Sequence, residues 1–248
     1  MSAINYSSIN QIPIINASLN DGTYSQCLEQ AINNYSGLFI CSSGNGGVNI
    51  DTTQANYFIY PGKYPCANIL CVGGIQNVNS SIASISNYGA TSVDMFAYCD
   101  YVEAITFDNN GFYYAQLGAY TSYAAPLVSA AAALLLSYNP NLSLSTIKNA
   151  LVYHGESNSN ITNLCVDGKQ LNIYASFLYL HTHSLYYSDF DEFSHYAYCS
   201  ICENTYMQSH VWTQYYGGNI VLNREINGQH GPTRYICTKC GRISIIPY

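Results

Sequence analysis

Residues 124–136 read Ala-Ala-Pro-Leu-Val-Ser-Ala-Ala-Ala-Ala-Leu-Leu-Leu, thirteen positions with one hydroxyl and no charge. A helix without a polar face has to be enclosed on every side, so this stretch predicts a central helix and demands neighbours that cover it. Pro126 suits the first turn of such a helix, where a missing N–H costs nothing, and Pro140 marks its end. Residues 143–152 then read as an amphipathic helix with Ser143 as N-cap, and residues 172–180 as a final one. Upstream, residues 12–19, 38–41, 69–72 and 93–97 are short apolar runs with the length of strands. Residues 24–35 show helical spacing through Cys27, Leu28, Ala31 and Ile32. Buried strands separated by helices or long crossovers predict an α/β protein with a parallel sheet covered on both faces.

The 248 residues suffice for one sizeable domain and a small module. Composition shifts after residue 180. Residues 181–194 are polar and aromatic without clear periodicity and read as a linker; residues 195–248 form a second, small unit. Of all residues, 48% are hydrophobic and 8% charged, and 7 basic against 14 acidic side chains give a net charge of −7. That balance argues against electrostatic capture of nucleic acid or of an anionic membrane. No run of about 18 apolar residues is evident, so no membrane span is expected. Residues 1–10 lack the basic start and apolar stretch of a signal peptide. The compartment stays open.

Ten cysteines fall into two groups. Cys27, Cys41, Cys66, Cys71, Cys99 and Cys165 are scattered, several inside apolar runs, and read as small buried hydrophobes; spacing alone leaves a disulfide among them possible. Cys199-Ser200-Ile201-Cys202 and Cys237-Thr238-Lys239-Cys240 are two C-x-x-C pairs. Each such turn can point two thiolates at one tetrahedral ion, so Cys199, Cys202, Cys237 and Cys240 are candidate ligands of a structural zinc in a zinc-ribbon-like module. The 34 residues between the pairs exceed the roughly 15–20 usual for such motifs. Two disulfides are the alternative in an exported protein. A unit this small needs a staple either way.

Just ahead of the apolar helix stands Tyr120-Thr121-Ser122-Tyr123-Ala124-Ala125-Pro126. A serine hydroxyl becomes a nucleophile when its position is fixed and a base takes its proton. A helix start offers both a rigid mount and backbone N–H groups for a developing oxyanion. The segment resembles the subtilase nucleophile motif G-T-S-x-A-[AST]-P, and Ser42-Ser43-Gly44-Asn45-Gly46-Gly47 resembles that family's A-x-G-N-x-G segment. Tyr60-Pro61-Gly62-Lys63-Tyr64-Pro65, Ile69-Leu70-Cys71-Val72-Gly73-Gly74, Ser84-Ile85-Ser86-Asn87-Tyr88-Gly89 and Gly168-Lys169-Gln170-Leu171-Asn172 are similar to four further family stretches, in family order. The resemblance covers roughly residues 12–178. It implies a partial doubly wound, three-layer α/β/α subtilisin-like domain over residues 1–180, with its site at the carboxyl ends of the strands. It implies Ser122 as nucleophile and Asn45, with the Ser122 N–H, as oxyanion hole. It also implies that Ser18, Leu19 and Asn20 on one side, and Ser42, Ser43 and Gly44 on the other, hold a peptide substrate as an added strand.

Departures from the pattern are Tyr120 and Asn20 in place of glycines, Tyr98-Cys99 in place of Pro-Gly, and Leu127 and Ala130 in place of His and Gly. The larger one concerns the triad. Subtilases carry D-[ST]-G and H-G-T motifs ahead of these segments, and neither occurs here. All six histidines follow Ser122. Two functions are therefore expected: a serine endopeptidase whose Asp and His come from a missing N-terminal segment or a second chain, or a catalytically inactive peptide-binding protein. The family is mostly extracellular.

Overall fold

The computed structural model describes residues 1–52, 57–77, 79–100 and 118–181 with their side chains, and elsewhere the backbone of the strands named below. It divides into two compact units, Met1–Leu180 and His181–Tyr248.

In chain order the first unit comprises α1 (Ser2–Ile9), β1 (Ile14–Ala17), α2 (Gln26–Asn33), β2 (Leu38–Ser42), β3 (Ile69–Ile75), β4 (Met95–Tyr98), the hairpin β5 (Glu103–Asp108) and β6 (Gly111–Gln116), α3 (Thr121–Tyr138), α4 (Leu144–Tyr153), β7 (Glu156–Ser157), β8 (Lys169–Gln170) and α5 (Ile173–Leu180). One six-stranded sheet runs β1-β2-β3-β4-β8-β7. Its pairings from β1 through β8 are parallel; β7 closes it antiparallel. Side chains alternate across a strand, and the sequence obeys that period. Phe39, Cys41, Ile69, Cys71 and Phe96 pack on one face with Ile4 and Ile32 of α1 and α2. Leu38, Ile40, Leu70, Val72, Met95 and Ala97 pack on the other, against α3 and α4. Three layers, α/β/α, result. Each aliphatic side chain enclosed this way stabilises the fold by about 1.5–3 kcal/mol relative to exposure.

Local chemistry sets the helix ends. Ser25 Oγ accepts the Leu28 N–H at the start of α2, and Ser143 Oγ accepts the Thr146 N–H at the start of α4. A part-buried ion pair ties α4 to the sheet. Lys148 Nζ lies 3.1 Å from Asp94 Oδ1 and donates to the Ala67 and Ile69 carbonyls, while Asp94 Oδ2 accepts the Cys71 N–H.

Three expectations need correcting. α3 begins at Thr121, so Pro126 sits in its second turn and removes the N–H that would reach the Ser122 carbonyl. Nor is α3 enclosed all round. Thr121, Ala124, Ala125, Val128, Ala131, Ala132 and Leu135 are buried, while Pro126, Leu127, Ala130, Ala133, Leu134, Ser137 and Tyr138 are exposed. With 18 residues and a mean hydropathy of 1.3, α3 also meets the length and composition of a membrane span, although its inner half packs on β1–β4. Finally, the segment 181–194 is more than a linker. Leu185–Asp189 forms strand β9, because its aromatic residues suit a pleated sheet.

In the second unit, β9 pairs antiparallel with β10 (Ser194–Cys199), which pairs with β11 (Thr205–Ser209). A second sheet holds β12 (Trp212–Gln214), β13 (Thr233–Cys237) and β14 (Ile243–Ile246), with β13 central.

Candidate active site

Ser122 is the second residue of α3, half-buried, in the turn whose N–H groups precede the first intrahelical bonds. The residue before it joins it to the loop after β2. Asn45 Oδ1 accepts both the Thr121 N–H and the Thr121 hydroxyl, each at 2.9 Å. Two donors on the carbonyl oxygen fix the amide's orientation, so Nδ2 remains as the outward donor. Asn45 is itself exposed. Asn45 and Ser122, 77 positions apart in sequence, thus stand side by side at the carboxyl ends of the strands. Tyr120 replaces a glycine at no backbone cost. Its φ of −145° and ψ of 141° are extended values open to any residue, and its ring lies exposed, edge-on to Tyr123.

What holds the Asn45 loop is Asn87, which is fully buried. Its Oδ1 accepts the Gly46 and Val48 N–H groups at 3.0 and 3.1 Å, and its Nδ2 donates to the Ser43 carbonyl at 2.9 Å. Its backbone N–H donates to the Gly44 carbonyl, and its own carbonyl accepts Ser43 Oγ. One side chain therefore ties down three points of the loop. Gly44, at φ +99°, has no room for a Cβ, which would meet the Phe58 carbonyl oxygen at 2.3 Å and Asn87 Nδ2 at 2.5 Å. The motif around Asn87 gives that residue no role in the sequence. A lone carboxamide between Ser86 and Tyr88 has no signature of its own.

The two expected substrate walls follow the ends of adjacent strands β1 and β2. Leu19 is 60% exposed and Ser18 half-buried, whereas Ser42, Ser43 and Gly44 are buried. Asn20 bridges the walls: its Nδ2 donates to the Ser42 carbonyl and its Oδ1 accepts Ser42 Oγ, both at 2.7 Å. The carbonyls of Ser42, Ser43 and Gly44 thus all carry an internal donor already. A peptide laid along 42–44 has only their second lone pairs to use.

Other reactive groups are out of play. The six cysteines of the first unit are free thiols, five of them buried; Cys27 is exposed, a correction to its reading as a buried hydrophobe. Burial, helped by Asp100, pushes the Cys99 thiol up to about 12. A hydrogen bond with Cys41, together with burial, pushes Cys71 well up. Such thiols stay protonated and inert. The His154 ring lies flat on Tyr179, centroids 3.5 Å apart. Among the described residues, no group of three or more His, Cys, Asp or Glu side chains could hold a metal ion. Cys199 and Cys237 are the last residues of β10 and β13; Cys202, Cys240 and all four thiol groups lie outside the described residues.

A helix-borne hydroxyl beside an oriented carboxamide, at the strand ends of a doubly wound α/β sheet, defines a class of acyl-transfer sites. Residues 1–170 match the Subtilase family, and the chain belongs to it. It is 34% identical to Subtilisin DY of Bacillus licheniformis over 158 residues, 61% of this chain and 52% of that protein. It is 37% identical to Subtilisin BL of Lederbergia lenta over 145 residues, 57% and 48% of the two chains. Among solved structures, the prenylagaramide maturation protease PagA superposes with a TM-score of 0.59 at 25% identity, covering 73% of this chain and 66% of that one. The chain spans about half the length of the curated relatives it matches.

Proposed function

We propose that this chain is the nucleophile-bearing part of a subtilisin-type serine endopeptidase, with the triad aspartate and histidine contributed from outside the sequence. The observation that carries the reading is the pair of hydrogen bonds from Thr121 to Asn45 Oδ1, which aim the Asn45 amide beside Ser122. Ser122 Oγ attacks the scissile carbonyl of a peptide held near residues 18–20 and 42–44. The incoming base takes the hydroxyl proton, and Asn45 Nδ2 with the Ser122 N–H receives the oxyanion. The leaving amine takes that proton from the base, and water then releases the acyl group. By itself the chain hydrolyses no peptide, because a serine without a base is a poor nucleophile.

A second reading, a catalytically inactive peptide-binding protein, is favoured by one observation. Among the described residues Ser122 Oγ has no side-chain hydrogen-bond partner, and both described histidines, His154 and His181, follow it in the chain. Fluorophosphonate labelling of the longest natural form separates the two. Modification of Ser122, absent in Ser122→Ala, supports the peptidase; an unmodified Ser122 in that form refutes it.

For the tail we propose a structural zinc held by Cys199, Cys202, Cys237 and Cys240. Four thiolates make a closed tetrahedral shell that shapes the fold and leaves no open position for chemistry. The support is the donor set and the placing of Cys199 and Cys237 at strand ends, where a C-x-x-C turn can follow.

A further inference from the structure

The loop that follows β2 carries a chemical liability of its own. Asn45 is followed by Gly46, and both are exposed. Asparagine before glycine is prone to self-modification, because glycine has no side chain to hinder ring closure and lets the backbone turn freely. The Gly46 nitrogen attacks Cγ of Asn45, the Cγ–Nδ2 bond breaks, and ammonia leaves with the proton that Gly46 gave up. Water then opens the cyclic imide at either carbonyl, which returns the N–H to Gly46 and leaves aspartate or isoaspartate. Asn-Gly occurs three times in the chain, at residues 45, 110 and 227. Asn110 and Asn227 lie outside the described residues.

We infer that the Asn45-Gly46 pair is a deamidation site that the fold holds shut, with Thr121 and Asn87 as its two latches. Ring closure requires the Asn45 side chain and the Gly46 nitrogen to rotate toward each other. Both ends are held, each by a residue distant in sequence. Asn45 Oδ1 accepts the Thr121 N–H and hydroxyl, each at 2.9 Å. The Gly46 N–H donates to Asn87 Oδ1 at 3.0 Å, and the Gly44 carbonyl just upstream accepts the Asn87 backbone N–H. An N–H engaged this way is also kept from hydroxide, which must remove its proton before the nitrogen can attack. Opening of the loop therefore has to precede modification. Nδ2 takes no part in these bonds, so the hold acts on the attack and not on the departure of ammonia. Only the consequence for the site rests on the serine-peptidase reading. There a carboxylate replaces the Nδ2 donor and sets negative charge where the oxyanion would form. Isoaspartate also adds one atom to the backbone of the loop.

The test incubates the full 248-residue chain at mildly alkaline pH in heavy-oxygen water, once in native buffer and once in urea. Peptide mapping by mass spectrometry follows oxygen label and isoaspartate at Asn45. We expect conversion in urea, and conversion at least about tenfold slower in native buffer, because only the open loop reacts. Gly46→Ala should slow the reaction in urea, since a side chain there hinders closure. In native buffer, Asn87→Ala and Thr121→Val, each checked for fold by circular dichroism, should convert at least about threefold faster than the parent chain. Thr121→Val keeps the N–H and drops only the hydroxyl, so it and the buffer-to-urea ratio carry the test if Asn87→Ala does not fold. Equal rates in buffer and urea overturn the inference, as does an Asn45 that stays intact in urea. Folded latch variants that convert no faster than the parent overturn it too. None of these readouts involves Ser122. A failure here leaves the peptidase reading standing, and a Ser122 that no fluorophosphonate modifies leaves this inference standing.

Discussion

Asn45 commits its carbonyl oxygen to Thr121; on the proposed peptidase reading its Nδ2 receives the oxyanion, so its loss would be felt only once negative charge develops. In the base-complete enzyme, Asn45→Ala should lower kcat by about 10²–10³ with KM nearly unchanged, read from steady-state peptide hydrolysis. Asn87 acts on the fold instead. Replacing it by Ala strands the Ser43 carbonyl in a buried setting and the Gly46 and Val48 N–H groups in a part-buried one. Each orphaned group costs on the order of 1 kcal/mol or more, so urea denaturation should show a loss of about 2–4 kcal/mol. The contrast also explains what could be read in advance. The meeting of the Asn45 loop with the start of the Ser122 helix was legible because each lies in a short motif with its own spacing. Asn87 and the Asn20–Ser42 bridge were not, since their importance comes from contacts across 22 to 44 positions that no local pattern encodes.

Among the elements, β2, β3 and β4 were legible as apolar runs because a parallel strand with helices on both faces has no polar side to show. α1 was not, having only Ile4 and Ser7 buried and hence no readable period. α3 was misjudged: a uniformly apolar sequence does not record which of its faces the neighbouring elements cover, and the side bearing Leu127 and Leu134 is exposed. The join between α4 and the sheet yields a prediction of its own. Burial pushes the Asp94 carboxyl above its ordinary value, and Lys148 and the Cys71 N–H only partly pull it back. The folded carboxyl thus keeps its proton to a higher pH than the unfolded one, and this group's contribution to stability falls as pH rises through that window. Lys148→Met removes the pull and leaves the carboxylate unpaired. Its cost should be about 2–4 kcal/mol at neutral pH. It should shrink as the pH falls and Asp94 takes up its proton, which urea melts at neutral and mildly acidic pH can follow. A cost that stays constant with pH would assign Lys148 a packing role only.

At the scale of the whole molecule, the two units differ in how each holds together. The first has a core on both faces of one sheet, whereas the second divides its strands between two three-stranded sheets within 68 residues. Small units of that kind commonly depend on a metal or disulfides for stability. If zinc is the staple, the purified chain should contain one equivalent by elemental analysis. Cys199→Ser and Cys237→Ser should each abolish it, because losing one of four thiolates opens the shell. Heating should then reveal two transitions. A strong chelator should shift only the one that Cys237→Ser also shifts, since binding free energy of the metal is folding free energy of the unit that binds it. Disulfides would give the opposite pattern: no metal, indifference to the chelator, and a transition that moves with a thiol reductant.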